Sequence, residues 1–308
     1  MKGAFPMTFL NLTLRSLKLF LRDRMAVLFS ILTMLIVILL MVFFLGDMYS
    51  ENLNGFLELI PGWDPVIGPK NTELFIFLWT GAGILCVNGI TVTLACYSTM
   101  IDDRKSGRLN TIYTSPVNRG IIAVSYIAYA WIASVGICIL TLAVLEGIAI
   151  GRGMTPFSFA THMKLLGLIA ANSFLYSSIM YVLALLFKST GAWSGIGTVV
   201  GTLVGFLGGI YIPLGNLAEP IQKILKCFPV IYGTTAFRSV MTESLINGLF
   251  RDAPEEMENG YREVMGITLK VFDHTVTIPE SILLFLALAA VSVLLATILN
   301  NARQNSDR

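Results

Sequence analysis

Charge is what this chain has least of. Only 13% of its 308 residues are Asp, Glu, Lys or Arg, against 55% hydrophobic, and the mean hydropathy is +0.76. A soluble globular chain carries about 25% charged residues, so this one lacks the charge to cover a water-facing surface. Histidine is nearly missing too: His162 and His274 stand apart from each other in the sequence. The four cysteines, Cys86, Cys96, Cys138 and Cys227, have no metal-ligand spacing. Three of them fall in apolar stretches, where cysteine acts as a small hydrophobe. Neither a metal site nor a disulfide is expected. No G-x-x-x-x-G-K-[ST] phosphate loop is present, which excludes ATP binding through a P-loop. Gly191-Ala192-Trp193-Ser194-Gly195 departs from the G-x-S-x-G serine turn, and neither histidine lies in a long apolar run to act as a base. A catalytic role for the chain itself is therefore not expected. The net charge of +2, without a dense basic cluster, gives no nucleic-acid footprint. The first long apolar run begins after Met25, is too long for a signal-peptide core and lacks a small-residue cleavage site, so no cleaved leader is expected.

What the chain does have is long charge-free windows. They run from Ala26 to Leu45, between Glu73 and Asp102, between Arg119 and Glu146, between Lys164 and Lys188, between Lys188 and Glu219, and between Glu280 and Arg303. About 20 apolar residues suffice to cross the hydrocarbon core as a helix, and lipid leaves an open backbone without partners. The windows predict an all-α integral membrane protein with six transmembrane helices, over 26–46, 74–99, 120–146, 165–187, 191–212 and 280–301. Pro213 ends the fifth. Lys2, Arg15, Lys18, Arg22 and Arg24 flank the first helix, and Arg104, Lys105, Arg108 and Arg119 follow the second, whereas the loop between them holds Lys70 beside five acids. Basic residues favour the cytoplasmic side, so both termini are expected in the cytoplasm. Residues 8–25 read as an N-terminal interfacial amphipathic helix, with Asn11, Arg15, Lys18 and Arg22 on one face and Leu10, Leu14, Leu17 and Leu21 opposite. The bland alternative is a basic flank that merely sets topology. The apolar run 227–237 is too short to span and reads as re-entrant or interfacial. Residues 250–278 are polar and read as an external loop.

Three features stand out as candidate functional sites. Between the second and third helices lies Asp102-Asp103-Arg104-Lys105-Ser106-Gly107-Arg108-Leu109, then Tyr113 and Ser115-Pro116. Mixed charges, a glycine and a Pro turn suit a short surface element that docks a soluble partner. They suit equally a topogenic loop. Gly197, Gly201, Gly205 and Gly209 recur every fourth residue in the fifth helix. That spacing reads as a close-packing seam inside the bundle, a dimer seam, or a pliable wall beside a substrate path. Asn88 and Thr91 are polar points in the second helix, open to the same choice between a path and helix–helix hydrogen bonding. Glu146 is the one acid between Arg119 and Arg152 and falls at the outer end of the third helix, a polar site of function or of anchoring.

Together these segments resemble the ABC-type-2 permease family, the membrane subunits of ATP-binding-cassette exporters. The resemblance is carried by the basic amphipathic helix before the first span and by Asp103-Arg104-Lys105-Ser106-Gly107-Arg108-Leu109 followed by Ser115-Pro116-Val117-Asn118-Arg119. Its third part is Gly209-Ile210-Tyr211-Ile212-Pro213, Leu217-Ala218-Glu219-Pro220-Ile221, Phe228-Pro229-Val230-Ile231-Tyr232-Gly233 and Phe237-Arg238. Arg108 stands where a threonine is common in the family. The resemblance implies an external re-entrant hairpin over 217–240 before the last helix, built around Pro213, Pro220, Pro229, Tyr232 and Arg238. It implies a separate ATPase subunit, carrying ATP and Mg, docked under a coupling loop or helix at 102–118. It further implies a second copy or related chain forming a dimer, with spans 2 and 5 facing a central cavity, in a bacterial plasma membrane among lipids. The chain itself would bind no cofactor. Its weakly polar interior suits a drug-like, peptide or lipid cargo. A gradient-driven secondary transporter and a non-transporting scaffold are the rival classes; the charge-free middles of the spans argue against the first.

Overall fold

A computed structural model describes residues 4–40, 46–58, 60, 68–108, 119–272 and 274–306. Among them the protein is helical apart from short connections and one small β-hairpin. Helices α1 (Ala4–Arg22) and α2 (Arg24–Leu40) are followed by α3 (Gly46–Leu57), α4 (Gly68–Lys105), α5 (Arg119–Gly151), α6 (Phe159–Leu186) and α7 (Thr190–Leu207). A 3-10 turn at Leu214–Asn216 leads to α8 (Glu219–Leu225), α9 (Pro229–Met241), α10 (Glu243–Leu249) and α11 (Glu255–Val264). Strands β1 (Lys270–Val271) and β2 (His274–Thr275) pair antiparallel before the last helix, α12 (Ile278–Ser306).

Five helices, α4, α5, α6, α7 and α12, are long and apolar enough to cross a membrane. The first expected span falls partly on residues 41–45, outside the described residues; its described part belongs to α2, a mostly apolar helix of 17 residues. The helices exceed the expected spans at several ends. α4 starts at Gly68 rather than 74 and continues to Lys105, and α6 starts at Phe159 rather than 165. Its N-terminus is set by Ser158, whose hydroxyl accepts from the Thr161 amide, the usual way to satisfy a free N–H at a helix start. α7 is likewise capped by Ser189, which accepts from Ala192. At its other end α7 stops at Leu207, five residues short of the expected 212. Gly209 takes φ +61°, and the Ile210 amide folds back to the Gly205 oxygen at 2.9 Å. That left-handed closure ends a helix before any proline is reached.

α4 is the axis of the bundle. Most of its side chains are buried, against α5, α6, α9, α7 and α3. By contrast, α2, α7 and α12 expose stripes of large apolar side chains, among them Leu28 and Leu39, Val199 and Leu203, Leu283 and Leu294. In an intramembrane protein such stripes face lipid or another chain. α1 has three faces rather than two. Leu10, Leu14 and Leu21 are exposed, while Thr13, Ser16 and Phe20 are buried and α1 packs along α5. Its opposite polar side carries the exposed Lys18. A helix with one face on protein, one apolar and free, and one basic is suited to the lipid headgroup boundary.

The end where α4 begins is capped by a second small core. Leu53 and Leu57 of α3, Ile246 of α10, Phe250, Met265 and Ile267 close over Phe75, Ile76 and Trp79. Tyr261 of α11 stacks on Phe56 with ring centroids 6.1 Å apart. The Trp79 indole donates to the Met265 oxygen at 2.7 Å. The polar segment 250–278 holds α11 and the β-hairpin, because its scattered aromatic and aliphatic residues find this core.

Candidate functional site

The far end of α4 carries the residues singled out for docking. Asp103 is buried and accepts from both guanidinium nitrogens of Arg15 on α1, at 3.0 and 3.3 Å. It also accepts from the Tyr126 hydroxyl at 3.4 Å and pairs with Arg108 at 3.5 Å. The hydrogen bond to Asp103 raises the Arg15 pKa above its ordinary value, against the lowering by partial burial. Arg104 turns the other way. It donates to the oxygens of Ala184 (3.4 Å), Leu185 (3.2 Å) and Phe187 (2.6 Å) at the C-terminus of α6. A cation there meets both the free carbonyls and the negative end of the helix dipole. Lys105 reaches the Thr190 hydroxyl at 3.4 Å. Gly107 adopts φ +75°, the left-handed position that favours glycine after a helix end.

Asp103 and Arg104, two of the charges that the sequence offers for docking or for topology, are both engaged internally. They tie α1, α5 and α6 to the end of α4, since a charge this close to the bundle is stable only when paired. Asp102, Lys105, Gly107 and Arg108 remain at the surface. Leu109, Tyr113, Ser115 and Pro116 lie outside the described residues.

Beside this end runs a groove of about 980 Å³ between α4 and α7, with Val37 of α2 at its edge. Drug-sized ligands occupy cavities of roughly 300–1,000 Å³. α4 lines it with Val87, Thr91, Leu94, Ser98, Ile101 and Asp102, and α7 with a strip from Thr190 to Gly205. The hydroxyls of Thr91, Thr198 and Thr202 donate back to the oxygens of Val87, Ser194 and Thr198, at 3.3, 3.2 and 2.9 Å. The wall they present is weakly polar rather than hungry for hydrogen bonds.

The glycine ladder divides along this groove. A Cβ on Gly201 would meet nothing within 4 Å, whereas one on Gly197 would touch Leu94 at 3.1 Å and one on Gly205 would collide with the Tyr211 ring. Gly209 lies past the helix, in the closure described above. A single packing seam is therefore not what the spacing produces. Two glycines admit close neighbours, one opens the groove, and one ends the helix. Thr91 faces the groove, but Asn88 does not. Asn88 is 2% exposed and donates to the Thr141 hydroxyl of α5 at 2.9 Å, so it is a helix-seam residue.

At the capped end, Glu146 accepts from the Phe157 amide at 2.9 Å and meets His162 Nε2 at 2.9 Å. It clamps the turn from α5 to α6. His162 is not alone, as the sequence suggests, because the helix break brings it beside an acid 16 residues earlier. In the hairpin of α8 and α9, Pro220 lies in the first turn of α8 and Pro229 starts α9, positions where a missing N–H costs nothing. Pro213 precedes the 3-10 turn, and the Tyr232 hydroxyl donates to the Lys226 oxygen at 3.0 Å. α9 inserts among α4, α6 and α12, with Gly233 close to Cys86, Asn172 and Phe285. Arg238 is fully buried. It lies 3.8 Å from the Trp79 ring centroid and donates to the oxygens of Gly209 (2.7 Å), Trp79 (3.4 Å) and Met265 (3.5 Å). The sequence marks Arg238 as a motif residue; nothing in it points to Trp79.

A helical bundle with apolar belts, a weakly polar groove along one side and a charged end defines a polytopic membrane protein. Residues 64–298 match the family described as ABC-2 family transporter protein, and the chain belongs to that family. It is the membrane-embedded permease part of an ABC transporter, which implies association with an ATP-binding subunit. Among curated proteins no relative matches the chain.

Proposed function

We propose that this permease exports an amphipathic molecule along the groove between α4 and α7, driven by ATP hydrolysed on a separate subunit. The groove itself supports this most: it is large, weakly polar, charged only at its mouth and lined by one helix rich in glycine. α2 supplies the sixth span, and both termini lie in the cytoplasm. The α8–α9 hairpin is re-entrant from the outer side, with its tip near Cys86 of α4. A second permease chain, identical or related, closes the open side of the groove; Val199, Leu203 and Phe206 are exposed on the other face of α7, toward lipid. The ATP-binding subunit docks at Lys105, Gly107, Arg108 and the segment to residue 118, beside the groove mouth. Because α4 ends there and also lines the groove, a push on its end moves the groove wall. Arg15 and Arg104 spread the same push to α1 and α6 through their contacts with α4.

Co-purification with the ATP-binding subunit tests this, comparing wild type with Gly107→Pro and Arg108→Glu. Proline cannot adopt the positive φ of Gly107, and Arg108 is largely exposed. Loss of complex or of permease-stimulated ATP hydrolysis in both variants is expected. Full retention in both would remove the docking site from this end of α4.

A further inference from the structure

Two neighbouring aspartates at the end of α4 have opposite surroundings. Asp103 is saturated by Arg15, Arg108 and Tyr126. Asp102 is exposed, lines the groove, and among the described residues its carboxylate has no ion pair and no hydrogen bond; Ser106 bonds to its backbone oxygen instead, at 2.8 Å. Among the described residues it is the one charged residue in the groove lining. Three cations stand close to it in the chain, and each is engaged elsewhere: Arg104 with the end of α6, Lys105 with Thr190, Arg108 with Asp103. Among the described residues, none supplies Asp102 with a counter-charge.

We infer that Asp102 is the specificity residue of the groove and selects amphipathic cations as cargo. This rests on the reading of the groove as the cargo path. The apolar body of the ligand lies against Val87, Leu94 and the open strip at Gly201, and its cationic head meets Asp102 at the mouth where α4 ends. A carboxylate beside low-dielectric walls attracts a cation more strongly than one in open water does. An anionic molecule would be repelled at the same point, and a neutral one of equal shape would lose the charge interaction alone.

The test is direct binding to the full-length protein in nanodiscs, with protein-free discs subtracted, using methyltriphenylphosphonium and its neutral counterpart of similar size, triphenylphosphine oxide. The wild type is expected to bind the phosphonium about tenfold more tightly. Asp102→Glu should keep that preference and Asp102→Asn should bring the two affinities together. Equal affinities in the wild type, a preference that survives Asp102→Asn, or no phosphonium binding at all would each overturn the inference. Gly201→Trp separates the two levels of the argument, because its side chain fills open groove space. If it weakens both probes equally while the wild type shows no charge preference, the groove stands and the role of Asp102 falls. If it leaves both affinities at wild-type values, the groove is not where these molecules bind, and both fall together.

Discussion

Arg238 takes a full positive charge to a place that, among the described residues, holds no carboxylate. Burying such a charge is expensive unless hydrogen bonds replace its water. Three carbonyls and the face of Trp79 do so here, and a guanidinium suits that setting because it is weakly hydrated, planar and multiply donating. The three carbonyls belong to α4, to the closure of α7 and to the cap over the bundle, so one side chain joins three parts. Arg238→Met is expected to lower stability by about 3 kcal/mol, since three acceptors lose their donor. Arg238→Lys should not restore it, because a point charge cannot reach all three. Thermal unfolding of the purified protein in detergent reads both; wild-type melting in Arg238→Met would show the network to be idle. A milder effect is expected at Asp103. A double-mutant cycle of Arg15→Met with Asp103→Asn should give a coupling of about 1 kcal/mol, as for a bidentate pair that is buried on one side only. At this scale the sequence was informative about which residues matter and silent about which way they point. Asp102 and Asp103 are adjacent and chemically identical, yet helical geometry sends one to the groove and the other to Arg15.

At the scale of elements, hydrophobic windows located α4, α5, α6, α7 and α12 because lipid allows hardly any other backbone solution. Their ends were less legible. Charge marks where a helix leaves the hydrocarbon, whereas the helix itself continues until a cap or a left-handed residue stops it, as at Ser158, Gly107 and Gly209. The glycine repeat of α7 shows the same limit: period four places glycines near one face but cannot say what that face meets. The structure separates them, and so does a prediction. Gly205→Ala is expected to destabilise by about 1–3 kcal/mol, because its Cβ would press on Tyr211, which packs edge-on against Phe206 with centroids 5.1 Å apart. Gly201→Ala has open space and should be neutral or stabilise by up to about 1 kcal/mol through helix propensity. The same thermal measurement checks both, and equal effects at the two sites would contradict the packing described for α7.

For the whole molecule, the proposed orientation puts the charged end of α4 in the cytoplasm, and the cysteines test it. Cys86, Cys96 and Cys138 are buried, while Cys227, between α8 and α9, is exposed. A thiol reagent that cannot cross membranes should therefore label the native protein at one position, and Cys227→Ser should abolish the signal. The hairpin joins α9 near Cys86, in the part of α4 nearer the capped end. Counting back from Asp102 at 1.5 Å per residue, a hydrocarbon core of about 30 Å ends near residue 82 of α4. In the proposed orientation Cys86 sits just inside the outer boundary, which would leave the tip of the hairpin shallow enough for a water-soluble reagent to reach. Labelling of intact cells is expected, together with labelling of Ser106→Cys in the Cys227→Ser background only after the membrane is opened. The reverse pattern would turn the molecule over, put the cap with Arg238 and Trp79 in the cytoplasm, and leave the charged end of α4 where no ATP-binding subunit could meet it.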